Sequence, residues 1–174
     1  SSKSMSDKFI VLDKDSQKVS GRVATTGRIV GFYANQPLKR GEQYTASIVQ
    51  GVRSTEGNNG MEEDYKWSFS IASRPAILST TPVNGAKDVS EQYSISALFQ
   101  TPMDEDSFEG NITIEPKPEG KYSWYFSSYN SRNQLSINTY LGRSQTYTVT
   151  LGSGIKDQYG VSLGGPYSFS FTTA

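Results

Sequence analysis

The chain has 174 residues, with 17 Lys+Arg against 17 Asp+Glu, no Cys and no His. Without Cys there is no disulfide framework, zinc ribbon, thiol nucleophile or thioester; without His there is no Ser-His-Asp triad, no HExxH metal site and no ordinary near-neutral proton shuttle. Zero net charge lacks the electrostatic footprint of a nucleic-acid binder, and no run approaches the ~18 apolar residues that would span a membrane as a helix.

Ala and Leu are sparse, while Ser, Thr, Gly and the aromatics (11 Tyr, 8 Phe, 2 Trp) are plentiful. That composition suits many short strands joined by turns. In chain order, strands are expected near Phe9–Leu12, Val19–Ala24, Ile29–Ala34, Gln43–Val49 and Tyr65–Ala72. Ser73-Arg74-Pro75 follows as a linker too short for a flexible tether and stiffened by Pro75. Ala76–Ser79 opens the second half, and Pro82–Val89 reads as a turn-rich connection. Tyr93–Gln100 alternates, with Ile95, Ala97 and Phe99 on one face. Asn111–Glu115 brings Ile112 and Ile114 together, and Lys121–Ser128 does the same for Tyr122, Trp124 and Phe126. Leu135 and Ile137 mark a further strand, Gln145–Leu151 points Tyr147, Val149 and Leu151 inward, and Tyr167, Phe169 and Phe171 alternate in the last. The second half thus carries about seven strands, the count of an immunoglobulin (Ig)-like sandwich.

The two halves are copies of one another. Leu38-Lys39-Arg40-Gly41-Glu42-Gln43-Tyr44-Thr45 aligns with Leu141-Gly142-Arg143-Ser144-Gln145-Thr146-Tyr147-Thr148, and the same offset sets Gly51-Val52-Arg53 on Gly154-Ile155-Lys156 and Gly57 on Gly160. Trp67-Ser68-Phe69-Ser70-Ile71 falls on Tyr167-Ser168-Phe169-Ser170-Phe171, and Lys3-Ser4-Met5 on Thr101-Pro102-Met103. The domains are therefore 1–74 and 75–174, abutting through the short linker. Residues 76–101 precede Pro102-Met103 in the second copy, whereas three residues precede Ser4-Met5 in the first. The chain is thus expected to begin part-way through a domain whose first two strands it lacks, leaving an apolar face and an unpaired edge. The fold class is all-β: two tandem Ig-like (fibronectin III-like) antiparallel β-sandwiches, the first lacking its N-terminal strands.

In each copy a Tyr opens a strand six residues after a Leu, Leu38 to Tyr44 and Leu141 to Tyr147. That spacing matches a tyrosine corner, in which the Leu plugs the sandwich end and the phenol hydrogen-bonds the connecting backbone. A plain strand aromatic after a turn is the alternative. Trp67, Phe69, Trp124, Phe169 and Phe171 are the large inward residues expected to fill the cores.

The second copy carries Pro82, Asn84-Gly85-Ala86, Val89, then Phe99-Gln100-Thr101-Pro102-Met103-Asp104, Asn111-Ile112-Thr113-Ile114, Tyr147-Thr148-Val149, Gly154-Ile155-Lys156-Asp157-Gln158-Tyr159-Gly160 and Tyr167-Ser168-Phe169-Ser170-Phe171-Thr172-Thr173. This resembles the bacterial Ig-like domain of the S-layer-protein type, with its P-x-x-G-A-x-x-V, F-S-x-P-M-D, G-x-x-Y-T-V, D-x-x-G and F-x-F-x-T elements. The first copy departs from the pattern at Lys3-Ser4-Met5-Ser6 and has Ser54 where the second has Asp157. The resemblance implies tandem modules of secreted and surface proteins, among them S-layer proteins, adhesins, polysaccharide-acting enzymes and bacterial alpha-2-macroglobulin-like proteins.

Candidate sites are few. Asp104-Glu105-Asp106 is the densest carboxylate cluster and could offer oxygens to Ca²⁺, as could Asp157 in its D-x-x-G turn; the competing readings are an acidic turn capping a helical turn and an Asx-type turn. Glu62-Glu63-Asp64 reads the same two ways, as cation oxygens or a solvated loop. Tyr125, Tyr129 and Tyr140 fall out of phase with the inward set and could meet a sugar face or a protein partner, or stand alone. Lys14, Lys18, Arg22 and Arg28 are interspersed with acids, which argues against a nucleic-acid groove. Paired carboxylates could serve glycoside hydrolysis, but these lie in turns with no cleft foreseen to shift a pKa. No cofactor is called for beyond the calcium considered above. The leading expectation is a non-catalytic spacer and interaction module of a larger bacterial protein, outside the cell or on its surface, with the periplasm as a further location. Its partners are the neighbouring domains of the same polypeptide, and protein or glycan beyond them. The alternatives are the N-terminal Ig-like segment of an alpha-2-macroglobulin-like protease inhibitor and a glycan- or calcium-binding surface module.

Overall fold

The computed structural model describes residues 5, 7–53, 59–91 and 94–174. The sequence features at Lys3, Ser4, Ser6, Ser54, Gly57 and Tyr93 lie outside them. The chain divides into two compact units, Ser1–Ser73 and Arg74–Ala174.

The first unit contains β1 (Phe9–Leu12), β2 (Gly21–Thr26), β3 (Ile29–Ala34), β4 (Gln43–Ile48) and β5 (Tyr65–Ser70). Alternation aims Phe9 and Val11, Tyr44 and Ala46, and Trp67 and Phe69 at one core. β1, β4 and β5 form one antiparallel sheet in the order β1-β4-β5, and β2 and β3 form a hairpin. The hairpin ladder runs as far as Thr26↔Ile29. β2 therefore ends two residues beyond the Ala24 expected, because Gly27, at φ 57°, closes a two-residue turn with Arg28. Among the described residues, only Phe9, Val11, Tyr44 and Ala46 are buried in this core, while Val30, Phe32, Trp67 and Phe69 are half-buried around it.

The second unit contains β6 (Ile77–Thr81), β7 (Ala86–Val89), β8 (Ser94–Phe99), β9 (Ile112–Glu115), β10 (Ser123–Ser127), β11 (Asn133–Asn138), β12 (Thr146–Leu151) and β13 (Tyr167–Thr173). Two four-stranded sheets, β10-β11-β8-β6 and β7-β13-β12-β9, face each other. Between them lie Ile95, Ala97, Phe99, Ile112, Ile114, Leu135, Ile137, Tyr147, Val149, Leu151, Phe169 and Phe171, all buried. Burial of each large side chain of this kind stabilises the fold by about 1.5–3 kcal/mol. On the outward face of β12 and β13, hydroxyls pair across the strands: Thr146 with Thr172 (2.9 Å), Thr148 with Ser170 (2.8 Å) and Thr150 with Ser168 (2.8 Å).

The second unit has one strand more than expected. Ala86–Val89, read from sequence as part of a connection, is β7, and it lies parallel to β13 with Phe171 opposite Ala86 and Thr173 opposite Val89. It is docked by Gly85 N–H on the Ser170 carbonyl (2.6 Å), Ala174 N–H on the Val89 carbonyl (3.0 Å) and Ser170 N–H on Asn84 Oδ1 (2.9 Å). Three strands, not two, therefore precede Met103. The first unit, among its described residues, has no counterpart of β6, β7 or β8.

Candidate functional site

Each unit hooks one turn with a phenol, the turn before β4 in the first and before β12 in the second. The Tyr44 hydroxyl accepts a hydrogen bond from Lys39 N–H (2.9 Å), and the Tyr147 hydroxyl accepts one from Gly142 N–H (2.7 Å). Both rings are buried, and each stacks on the neighbouring strand, Tyr44 on Phe69 and Tyr147 on Phe171. Leu141 is buried beneath its turn, and Leu38 packs half-buried on the first core. The remaining large residues divide by unit. Phe169 and Phe171 are sealed in, Trp124 packs on Phe108, and Trp67 and Phe69 keep partial exposure. Pro75 is the second residue of the second unit.

The acidic turn is built around a buried Phe. Glu105–Phe108 form a 3-10 turn entered from Asp104, whose side chain makes no cap hydrogen bond. Ser107 Oγ donates to the Asp104 carbonyl (2.6 Å) and accepts from Lys156 N–H (3.0 Å). Phe108 drops into the core against Phe99, Trp124 and Phe126, which leaves Asp104, Glu105 and Asp106 exposed. Asp157 lies on the facing strand segment, bridged to Met103, and is buried. Its Oδ1 accepts from Tyr159 N–H (2.9 Å) and Val161 N–H (2.8 Å), the geometry of an Asx turn closed by Gly160 at φ 80°. Asp64 accepts from Gln50 N–H (2.9 Å) and faces Lys66 at 3.8 Å, while Glu62 and Glu63 are exposed. Among the described residues, no three carboxylates converge in a way that could hold a metal ion.

Tyr125, Tyr129 and Tyr140 are exposed, at 54, 78 and 71%. Tyr125 lies on the outward face of β10, Tyr129 starts a short 3-10 turn and Tyr140 follows β11. Among the described residues, no two of the three are in ring contact. Two of the four basic residues have local partners. Arg22 lies over the Tyr33 ring at 4.5 Å, and Lys14 pairs with Asp15 at 3.2 Å. The hydrogen bond and charge of Asp15, helped by Glu42, raise the exposed Lys14 ammonium further from neutrality, away from any role as a base.

Sequence reasoning passed over two apolar concavities. One, of about 340 Å³, lies in the second unit on the β9–β10 connection, walled by Ile114, Pro118 and Tyr122 with Lys117 and Lys121 beside them. The other, of about 270 Å³, opens into the first core between Phe9, Val11, Phe32, Leu38, Trp67 and Phe69. Its only sequence signal is the shortness of the first repeat. No helix among the described residues is long and apolar enough to cross a membrane.

A search of characterised proteins finds similarity to an alpha-2-macroglobulin homolog of Nostoc sp., 25% identical over 169 residues. The aligned stretch is 93% of this chain but 9% of that protein, so the chain spans less than a tenth of the relative it matches. The bacterial Ig-like domain profile matches twice, at residues 1–71 and 72–173. With two sandwich frames, two phenol hooks and a profile match over nearly the whole length, the chain belongs to the bacterial Ig-like domain family.

Proposed function

We propose that the chain is a non-catalytic spacer and interaction module of a larger secreted or cell-surface bacterial protein. What supports this is that both units keep strands of the sandwich frame and its phenol hook, Tyr44 and Tyr147, while Asp104 and Asp157 of the second copy stand where the first has Ser6 and Ser54. Residues selected for chemistry would be expected to recur at a site; here the recurring residues hold strands together. The module then acts by setting the separation of its neighbours in the same polypeptide, with Ser73-Arg74-Pro75 as a short, proline-stiffened connection. Small-angle scattering tests it by comparing the chain with a variant carrying six Gly/Ser residues inserted after Ser73. A narrower distribution of inter-unit distances is expected in the parent, and equal breadth would overturn the spacer reading.

The similarity to the Nostoc protein favours one particular parent, an alpha-2-macroglobulin-like protease inhibitor in which this pair is an Ig-like segment. The full-length gene product tests this. Macroglobulin-type domains in the same polypeptide are expected, and a parent of another kind would rule it out.

A further inference from the structure

Two asparagines of the chain, Asn59 and Asn84, are followed directly by glycine. An asparagine amide so placed can react with its own backbone. The nitrogen of the next residue, on losing its proton, attacks the side-chain Cγ. A C–N bond forms, the Cγ–Nδ2 bond breaks and ammonia leaves. Water then opens the cyclic imide at one carbonyl or the other, giving aspartate or the isomer whose main chain runs through Cγ. No oxidant or reductant is needed. Glycine is the most permissive follower, because it has no Cβ to hinder its nitrogen and its backbone turns freely.

Both asparagines are exposed, so water and hydroxide reach both. What separates them is the hydrogen bonding of the reacting groups. Asn84 and Gly85 lie in the turn before β7, closed by Ala86 N–H on the Val83 carbonyl (3.0 Å). Ser170, on β13, holds both partners of the reaction. Its carbonyl accepts Gly85 N–H (2.6 Å), and its own N–H donates to Asn84 Oδ1 (2.9 Å). The first bond keeps the proton on the attacking nitrogen and aims that nitrogen at β13; the second fixes the amide. Ring closure at Asn84 therefore requires the start of β7 to lift off β13. Asn59 has no such clamp. Gly60 bridges Arg53, but the bonds beside that bridge are carried by neighbours, Met61 N–H on the Val52 carbonyl (2.8 Å) and Gly51 N–H on the Met61 carbonyl (2.8 Å). Among the described residues, neither the Asn59 side chain nor Gly60 N–H has a hydrogen-bond partner.

We infer that Asn59 is a site of spontaneous deamidation and that Ser170 protects Asn84 from the same reaction. Conversion at Asn59 gives the chain one acidic residue more than its 17 basic ones and places the new carboxylate just ahead of Glu62-Glu63-Asp64. The isomer also lengthens the main chain by one methylene immediately before the bridge of Gly60 to Arg53. At Asn84 the cyclic imide has no N–H left for the Ser170 carbonyl, so the rate there reports how often β7 opens. The inference stands independently of the spacer reading.

Peptide mapping by mass spectrometry tests it on the 174-residue chain, held folded at pH 8.5 and 37 °C and, in parallel, unfolded in concentrated urea. In the folded chain the Asn59 peptide is expected to gain one mass unit, with the isomer detected by enzymatic methylation of isoaspartate. Asn84 is expected to convert at least about tenfold more slowly, because it reacts only through local opening. In urea the two are expected to convert at similar rates, since both are Asn-Gly pairs in an open chain. Equal rates in the folded chain would overturn the protection by Ser170. An Asn59 that stays intact while the unfolded chain converts would overturn its assignment as the reactive site. A difference that persists undiminished in urea would place the cause in the flanking sequence and overturn the structural explanation.

Discussion

The Tyr147 hydroxyl accepts the backbone N–H of Gly142, five residues earlier, at 2.7 Å, and the first unit repeats the relationship between Tyr44 and Lys39 at 2.9 Å. Both phenols are buried, so removing one oxygen strands a backbone donor away from water. Tyr147→Phe is expected to cost the second unit about 1–3 kcal/mol. That lowers its melting midpoint by roughly 4–8 °C for each kcal/mol in a domain of this size. Tyr44→Phe should act on the first unit alone. Single-Trp variants, retaining Trp124 or Trp67, report the two transitions separately, and unchanged midpoints would show that the phenols hold nothing.

Phe108 is fully buried, edge-on to Phe99 and packed on Trp124 and Phe126. It reaches the core from a turn rather than from a strand, so no neighbouring strand can slide in to fill its place. Phe108→Ala is therefore expected near the upper part of the range for such truncations, about 3–5 kcal/mol. Chemical denaturation followed by Trp124 emission measures it. A loss below about 1 kcal/mol would mean that the acidic turn collapses inward and the ring is not a fixed part of the core.

Those two residues also show what a sequence of this kind discloses. Tyr147, Val149 and Leu151 alternate in an unbroken strand, as do Ile95, Ala97 and Phe99, and all six are buried. A period of two is readable wherever a strand has one wet and one dry face. β7 escaped because it is four residues long and Asp88 sits at φ 56° within it, which shifts the register to β13 and breaks the alternation. Phe108 escaped because it follows Asp104-Glu105-Asp106, where the charges suggest a cation and the single apolar residue at the end of the turn carries no periodic signal. The exposure of Tyr125, Tyr129 and Tyr140 follows from their phase or from their place in turns. Whether such residues gather on one surface depends on loop paths that no local pattern encodes. The open first core was legible as a shortage of strands.

Asn111 ties the 3-10 turn to the loop after β12. Its Nδ2 donates to the Ser107 carbonyl (3.1 Å), and its own carbonyl accepts Gly152 N–H (2.8 Å). A Cβ on Gly154 would lie 2.5 Å from Asn111 Oδ1, and one on Gly152 2.7 Å. Gly154→Ala is therefore expected to displace the Asn111 side chain and cost about 1–3 kcal/mol, the range for forced overpacking. The double variant with Asn111→Ala should lose less than the two single changes added, since the clash disappears with the amide. Strict additivity in denaturation midpoints would rule out this contact as the reason for the glycine.

Asp157 separates a structural carboxylate from a cation ligand. It is buried, and its Oδ1 accepts two backbone N–H groups, from Tyr159 and Val161, within a turn whose backbone also joins Gly160 N–H to the Asp157 carbonyl at 2.9 Å. Hydrogen bonds to a charged acceptor are worth about 1.5–3 kcal/mol each in context, and the two share one oxygen. Asp157→Ala is expected to lower stability by about 2–4 kcal/mol, and Asp157→Asn by less because an amide oxygen can still accept both donors. Since the donors are backbone groups, the difference between parent and Asp157→Ala should be the same in excess EDTA as in millimolar Ca²⁺. A gap that widens with calcium would instead give the carboxylate to a bound cation, and a variant as stable as the parent would remove Asp157 from the forces that hold the turn against Met103.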